Sequence, residues 1–340
     1  MSEKTIIAKS SSGPNLTHQG ILASLGREYT LSERLPISQK TAATALLEQL
    51  ADQHRRVVSE WRALIILRKA TFELAPSQRR WSHLPQEPGD LYPLFRQMRQ
   101  RGELKPIRGL RHFYQVTVPF ARTEPLEEEE VLLEAHPYAA LSHLSALVFH
   151  GLTDDLPKGL TATVPLDGTG DQLPLDTQPQ DWEGVPLVRG RMPERILGRP
   201  VSWHQVKPER FFGVRVYQPR GYPVRVTTLE RTLLDGLQEP ELSGGVENVL
   251  RAWALARDTL DLDVLAHYVD RFAIALLGQR VGFILEELGL FHPRLEAWRD
   301  NAHRGGSSKL VASAPYSPDY SERWNLSLNV PITALHDQSQ

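Results

Sequence analysis

Residues 89–118 read GDLYPLFRQMRQRGELKPIRGLRHFYQVTV, and this stretch decides the fold expected for the first part of the chain. Asp90 is an N-cap residue for a helix running to Arg101, with Pro93 in its first turn. Leu91, Leu94, Phe95 and Met98 recur at helical spacing and form the stripe to be buried. Arg96, Gln97, Arg99 and Gln100 fall largely on the opposite side, and Gly102 stops the helix. Glu103–Ile107 and His112–Val118 then read as two short strands, joined through Arg108-Gly109-Leu110-Arg111. A helix followed by a basic hairpin is the second half of a winged helix-turn-helix. In that fold the helix enters a major groove, and the hairpin lies along the phosphates or reaches the minor groove.

Charge is concentrated around this stretch. Residues 55–111 hold thirteen Lys+Arg against five Asp+Glu, a local net of +8. Residues 1–54 hold five of each, and residues 112–340 hold twenty-one basic against thirty-one acidic groups, a net of −10. The whole-chain value of −2 therefore hides a basic segment joined to an acidic one. A basic face beside helical patterning is an electrostatic footprint for a phosphate backbone. Arg96, Gln97, Arg99, Gln100, Arg101, Lys105, Arg108 and Arg111 are the residues expected to meet DNA.

Upstream, residues 1–17 are Ser-rich and polar, and are expected to be flexible. Ile21, Leu22 and Leu25 make a short apolar stripe. Ala42, Ala45, Leu46, Leu50 and Val57 recur at helical spacing within Gln39–Arg56 and just beyond it, and Trp61–Leu74 reads as helix or strand. Downstream, Pro119 and Pro125 bracket a hinge that runs into Glu127-Glu128-Glu129-Glu130, which suits the solvated first turn of a helix. The expected division is a flexible segment at 1–17, a DNA-binding region at 18–120, a linker at 121–135 and a second domain at 136–335.

That second domain reads as mixed α/β. A helix is expected over Tyr138–His150, closing at Gly151. Strands are expected at Leu160–Val164, Gly184–Arg189, Val201–Val206, Gly213–Tyr217 and Val224–Thr227, and a last one at Trp324–Val330. Helices are expected at Leu229–Leu237, Val246–Ala256, Leu262–Phe272 and Gln279–Leu288. Arg189, Arg191, Arg195 and Arg199 fall in a Pro/Gly-rich segment where exposure is expected, and offer a basic patch suited to phosphate.

Cysteine is absent, which excludes disulfides, thiol catalysis and cysteine-ligated metal sites. The start has no apolar h-region and no stretch has the roughly 18 apolar residues of a membrane span, so a cytoplasmic protein with no membrane partner is expected. No P-loop, dinucleotide fingerprint, H-E-x-x-H or G-x-S-x-G motif occurs, so neither an enzyme nor a cofactor is expected. Asp261 and Asp263 are paired carboxylates of the kind that hold Mg²⁺, but their setting suits the cap of the next helix better. His143 and His150 are seven apart on one expected helix, too far for one metal ion, so no metal site is expected. Arg231 and Asp235 are spaced for an i,i+4 ion pair, on a helix surface or fixing helix to sheet.

Four blocks carry a family resemblance. Leu141-Ser142-His143-Leu144-Ser145-Ala146-Leu147-Val148-Phe149-His150-Gly151-Leu152-Thr153 resembles a helix of the AbiEi antitoxin family. Val226-Thr227-Thr228-Leu229-Glu230-Arg231-Thr232-Leu233-Leu234-Asp235, with Glu239-Pro240 and Gly244-Gly245-Val246-Glu247, is similar to a second block. Arg280-Val281-Gly282-Phe283-Ile284-Leu285-Glu286-Glu287-Leu288-Gly289 looks like a third, and Tyr320-Ser321-Glu322-Arg323-Trp324-Asn325-Leu326 like the family's ending.

The resemblance implies an α+β protein, with an N-terminal winged helix-turn-helix followed by a mixed α/β C-terminal antitoxin domain. About a hundred residues precede the hairpin, more than the family's compact start, which leaves room for extra helices or a second winged module at residues 18–75. It further implies an antitoxin and transcriptional autorepressor of a type IV toxin–antitoxin system with a role in phage defence. Operator DNA would be one partner. A nucleotidyltransferase toxin would be the other, opposed without a stable complex being needed. Arg189, Arg191, Arg195, Arg199, Arg231 and Asp235 are the residues expected to form the antitoxic surface. The alternative is a winged-helix regulator whose C-terminal domain senses a ligand or mediates assembly.

Overall fold

The first described segment builds three helices around three strands. Helix α1 (Ala42–Asp52) is capped by the Thr41 side chain and buries Ala43, Ala45, Leu46 and Leu50. Strand β1 (Val57–Ser59) leads directly into α2 (Glu60–Glu73), whose N-cap is Ser59. The Trp61–Leu74 stretch, ambiguous as sequence, is thus helix. Two 3-10 turns follow before α3 (Tyr92–Gln100), then β2 (Leu104–Pro106) and β3 (Phe113–Val116). The strands pair antiparallel in the order β1-β3-β2. The computed structural model describes residues 39–118, 125–219, 221–302 and 306–336. The expected flexible segment 1–17 and the stripe at Ile21, Leu22 and Leu25 lie outside them.

Helix α3 starts later than its sequence suggests. The Asp90 carboxylate accepts from the backbone amides of Gln86 (2.8 Å) and Glu87 (3.3 Å), so it fastens the preceding turn and does not cap α3. At the other end Gly102 adopts φ +73, and Glu103 N donates to Met98 O at 2.9 Å, a Schellman closure. This turns the chain straight into β2.

Strands β1 and β3 are covered on both faces, and their pleat divides two cores. Val58, Tyr114 and Val116 pack with α1, α2 and α3, including Leu46, Leu64, Phe95 and Met98. Val57 and Phe113, one residue out of phase, pack with Val131, Leu132 and Leu133 of α4 (Glu128–Ala135). Residues 128–135, read as the end of a linker, are therefore a helix packed between two parts of one body. Residues 40–340 cluster as one unit.

After α4 come β4 (Ala140–Leu141), α5 (His143–Phe149), β5 (Leu160–Pro165), β6 (Arg195–Ile196), β7 (Arg199–Val206), β8 (Val214–Tyr217) and β9 (Val224–Thr227). They form a mixed sheet in the order β6-β7-β5-β4-β9-β8. The helix expected from Tyr138 begins only at His143, because Ala140 and Leu141 are taken into the sheet between β5 and β9. Gly184–Arg189 is not a strand. Its Val185 and Val188 pack on Trp61 and Trp182 instead.

The chain closes with α6 (Leu229–Gln238), α7 (Val246–Ala256), α8 (Leu262–Phe272), α9 (Ala275–Glu287) and α10 (Arg294–Ala302). A last small sheet holds β10 (Ser308–Lys309), β11 (Tyr320–Ser321) and β12 (Leu326–Ser327), in the order β10-β12-β11. Trp253, Val281, Ile284 and Trp324 share the core of this end. The fold is mixed α/β, consistent with the α+β class. Among the described residues no helix is long and apolar enough to cross a membrane.

Candidate nucleic-acid interface

Helix α3 buries Phe95 and Met98 and turns Arg96, Gln97, Arg99 and Gln100 outward. The same periodicity that builds the core thus sorts the cations onto one side. Arg101, Lys105, Arg108 and Arg111 are exposed as well. Arg96, Arg99, Gln100 and Lys105 line a groove of about 660 Å³ between α3 and β2, together with Gly102, Leu104, Pro106 and Thr117. Gln97, Arg101, Arg108 and Arg111 do not line it. Among the described residues, none of Arg96, Arg99, Arg101, Lys105, Arg108 and Arg111 forms an ion pair. The Thr117 hydroxyl, which sequence reasoning passed over, donates to Gly102 O at 2.6 Å and ties the helix end to the strand beyond.

The other basic residues of 55–111 do different work. Arg56 makes a bidentate contact with Glu130, and Arg62 Nε donates to Glu134 Oε2 at 2.8 Å. Arg55 reaches Glu134 at 3.6 Å and also pairs with Asp176. Arg68 is buried and donates to the carbonyls of Pro85 and Glu183. Part of the local charge excess is therefore neutralised internally. Glu130, expected in a solvated first turn, is one of the buried partners.

Of the residues expected on an antitoxic surface, Arg231 and Asp235 lie in the interior. Arg231 and Asp235 form a buried pair at 2.7 Å, with side chains only 3% and 6% exposed. Arg231 also donates to Arg210 O and Phe212 O, and its guanidinium lies over the rings of Phe212 and Phe272. The pair belongs to the interior, because an i,i+4 spacing says nothing about which side of a helix is covered. The four arginines of the loop region also diverge. Arg191 reaches Glu60 and the carbonyl of Arg111, Arg195 donates to Gly198 O, and Arg199 pairs with Glu128 at 3.5 Å. Arg189 lines a separate cavity.

That cavity, of about 860 Å³, lies between α2 and the segment 182–189. Trp61 and Trp182 stack in its wall at 6.1 Å, and Glu87, Pro88 and Asp90 of the turn before α3 complete it. Asp261 caps α8 by accepting from Val264 N at 3.0 Å, while Asp263 is exposed and pairs with His292. His150 Nε2 lies 2.8 Å from Thr227 O, so it fastens α5 to the sheet.

No family model matches the chain, and comparison with curated proteins finds no match. Among solved structures, the crystal structure of the RV2827C protein from Mycobacterium tuberculosis is similar, with a TM-score of 0.50 and 12% identity. The likeness covers 88% of this chain and 96% of that one. At such identity it shows the fold alone.

Proposed function

We propose that the chain is a DNA-binding repressor of the winged-helix type that also acts as the antitoxin of a toxin–antitoxin pair. The observation that carries the first half is the groove between α3 and β2, where Arg96, Arg99 and Lys105 converge without a carboxylate partner among the described residues. The order helix–strand–helix–helix–strand–strand and the strand order β1-β3-β2 support the winged-helix reading. The connection between α2 and α3 is long for a helix-turn-helix, so α3 is positioned by its packing on Tyr114 and Leu91 as well as by the turn. In this reading α3 is the helix placed in the major groove, and the β2–β3 hairpin is the wing.

The antitoxin half rests on the AbiEi resemblance of residues 141–326. Two of its blocks meet in the core, where the indole of Trp324 covers Gly282. The test is growth rescue on co-expression with a nucleotidyltransferase encoded beside this chain, run alongside binding of the purified chain to its own upstream DNA. Absence of both would refute the reading, and rescue without DNA binding would refute only the repressor half.

One observation favours a second reading, a regulator that senses a small ligand. The cavity walled by Trp61 and Trp182 abuts the turn that leads into α3. A flat aromatic ligand seated there would act directly on the placement of that helix. A ligand that changes DNA affinity in wild type but not in Trp182→Ala would favour it.

A further inference from the structure

We propose that His143, His204 and Glu239 form a binding site for a divalent transition metal, with zinc the ion that suits the donors best. The three residues stand on different elements: His143 opens α5, His204 lies in β7 and Glu239 ends α6. One donor atom from each lies within 4.8 Å of the others, and His204 Nδ1 is 3.4 Å from Glu239 Oε2. The two imidazole rings meet edge to face, with centroids 5.1 Å apart. Zinc bonds of about 2.0–2.1 Å place tetrahedral donors roughly 3.3 Å apart, so the cluster closes on an ion by a contraction of about 1.5 Å or less. Glu239 is partly exposed and supplies that movement as well as an entry path.

The surroundings are built as a supporting shell. His143 Nδ1 lies 3.0 Å from Ser142 Oγ, which accepts from Thr163 Oγ1 at 2.8 Å. Thr163 is the register partner of His204 across the β5–β7 pair. The hydroxyls therefore fix the His143 ring in the sheet frame, and the tautomer whose Nδ1–H donates to Ser142 presents Nε2 to a metal. Asp235, one turn before Glu239, bears electrostatically on His143, and its buried Oδ2 has no hydrogen-bond partner. His143 is also a non-glycine residue at φ +49, a strained conformation of the kind that concentrates at functional sites. Two imidazole nitrogens with one carboxylate oxygen favour zinc over magnesium or calcium and leave a fourth position for water. Bound there, zinc would pin β7, α5 and α6 to one another.

The test uses the full-length chain stripped with a chelator and titrated with Zn²⁺ by calorimetry, with Co²⁺ absorption as a second readout. One equivalent should bind, with Co²⁺ giving the intense visible bands of a four- or five-coordinate site. His204→Ala and Glu239→Gln should each weaken binding by more than about 100-fold, above the loss caused by removing a supporting residue. His267→Ala, at an exposed histidine elsewhere, should bind as wild type. Circular dichroism in chelator shows that each variant remains folded. Absence of stoichiometric binding in wild type would overturn the proposal and leave His204 and Glu239 as an ion pair. So would binding that survives both substitutions, which would place the ion elsewhere, as at Glu127, Glu128 and Glu129.

Discussion

Arg62 Nε donates to Glu134 Oε2 at 2.8 Å in a site where the two side chains are only 3% and 1% exposed. Glu134 also accepts from the Ser59 amide at 3.1 Å and lies 3.6 Å from an Arg55 nitrogen. The carboxylate thus anchors the start of α2 to α4. Glu134→Ala is expected to lower unfolding free energy by about 3–5 kcal/mol, because it strands Arg62 as a buried charge. Replacing both partners, Arg62→Met with Glu134→Leu, should recover most of that loss. Urea denaturation of the two variants checks this, and an unchanged midpoint for Glu134→Ala would contradict it.

The same network bears on whether the halves fold alone. A fragment of residues 126–340 keeps Glu130 and Glu134 but loses Arg56 and Arg62, and uncovers Val131, Leu132 and Leu133. It should lack near-ultraviolet circular dichroism and unfold without cooperativity. A sharp, cooperative transition from this fragment would show that the shared core is dispensable.

For DNA binding, neutralising about six phosphates gives a slope of log K against log salt near −5. Arg99→Ala or Lys105→Ala should make it shallower by about one and weaken binding to all sequences alike. Gln97→Ala or Arg96→Ala should shift sequence preference more than overall affinity. Anisotropy titrations at several salt concentrations measure both, and binding indifferent to salt would exclude the groove.

Acid should destabilise the protein through His136. Its ring is buried, and desolvation pulls it from the usual 6.5 down to about 4. Because the folded value is the lower one, the unfolded chain binds the extra proton first. The associated stability is fully present above about 6.5, is lost as pH falls towards 4, and is constant below that; its size is on the order of 3 kcal/mol. His136→Gln should flatten the pH dependence of thermal midpoints across this window. An unaltered dependence would assign the effect to other groups.

Gly282 packs so closely under Trp324 that an added Cβ would lie 2.1 Å from the indole. Gly282→Ala should therefore cost about 1–3 kcal/mol by overpacking. Combined with Trp324→Leu, the two losses should be strongly less than additive. Additive losses in thermal unfolding would mean that the indole does not rest on this glycine.

Much of the local architecture was legible in the residues themselves. Helices α7 and α8 were bounded correctly by Gly245, Asp261 and their apolar periodicity, and β5 and β9 by short apolar runs. The outward face of α3 followed from the spacing of Phe95 and Met98. Tyr138–Leu141 reads as helix from sequence because a segment buried on all sides carries no period that tells a strand from a helix.

What only tertiary structure decided was which charges meet. In the sequence, Arg56 and Arg62 were indistinguishable from Arg99 and Lys105, all four belonging to one basic segment. Packing of α4 against β1 consumed the first two and left the others without an ion-pair partner among the described residues. His143, His204 and Glu239 came together through the register of β7 on β5 and the end of α6. Helical and strand periods constrain neighbours within an element, and long-range encounters of polar groups are set by how whole elements pack.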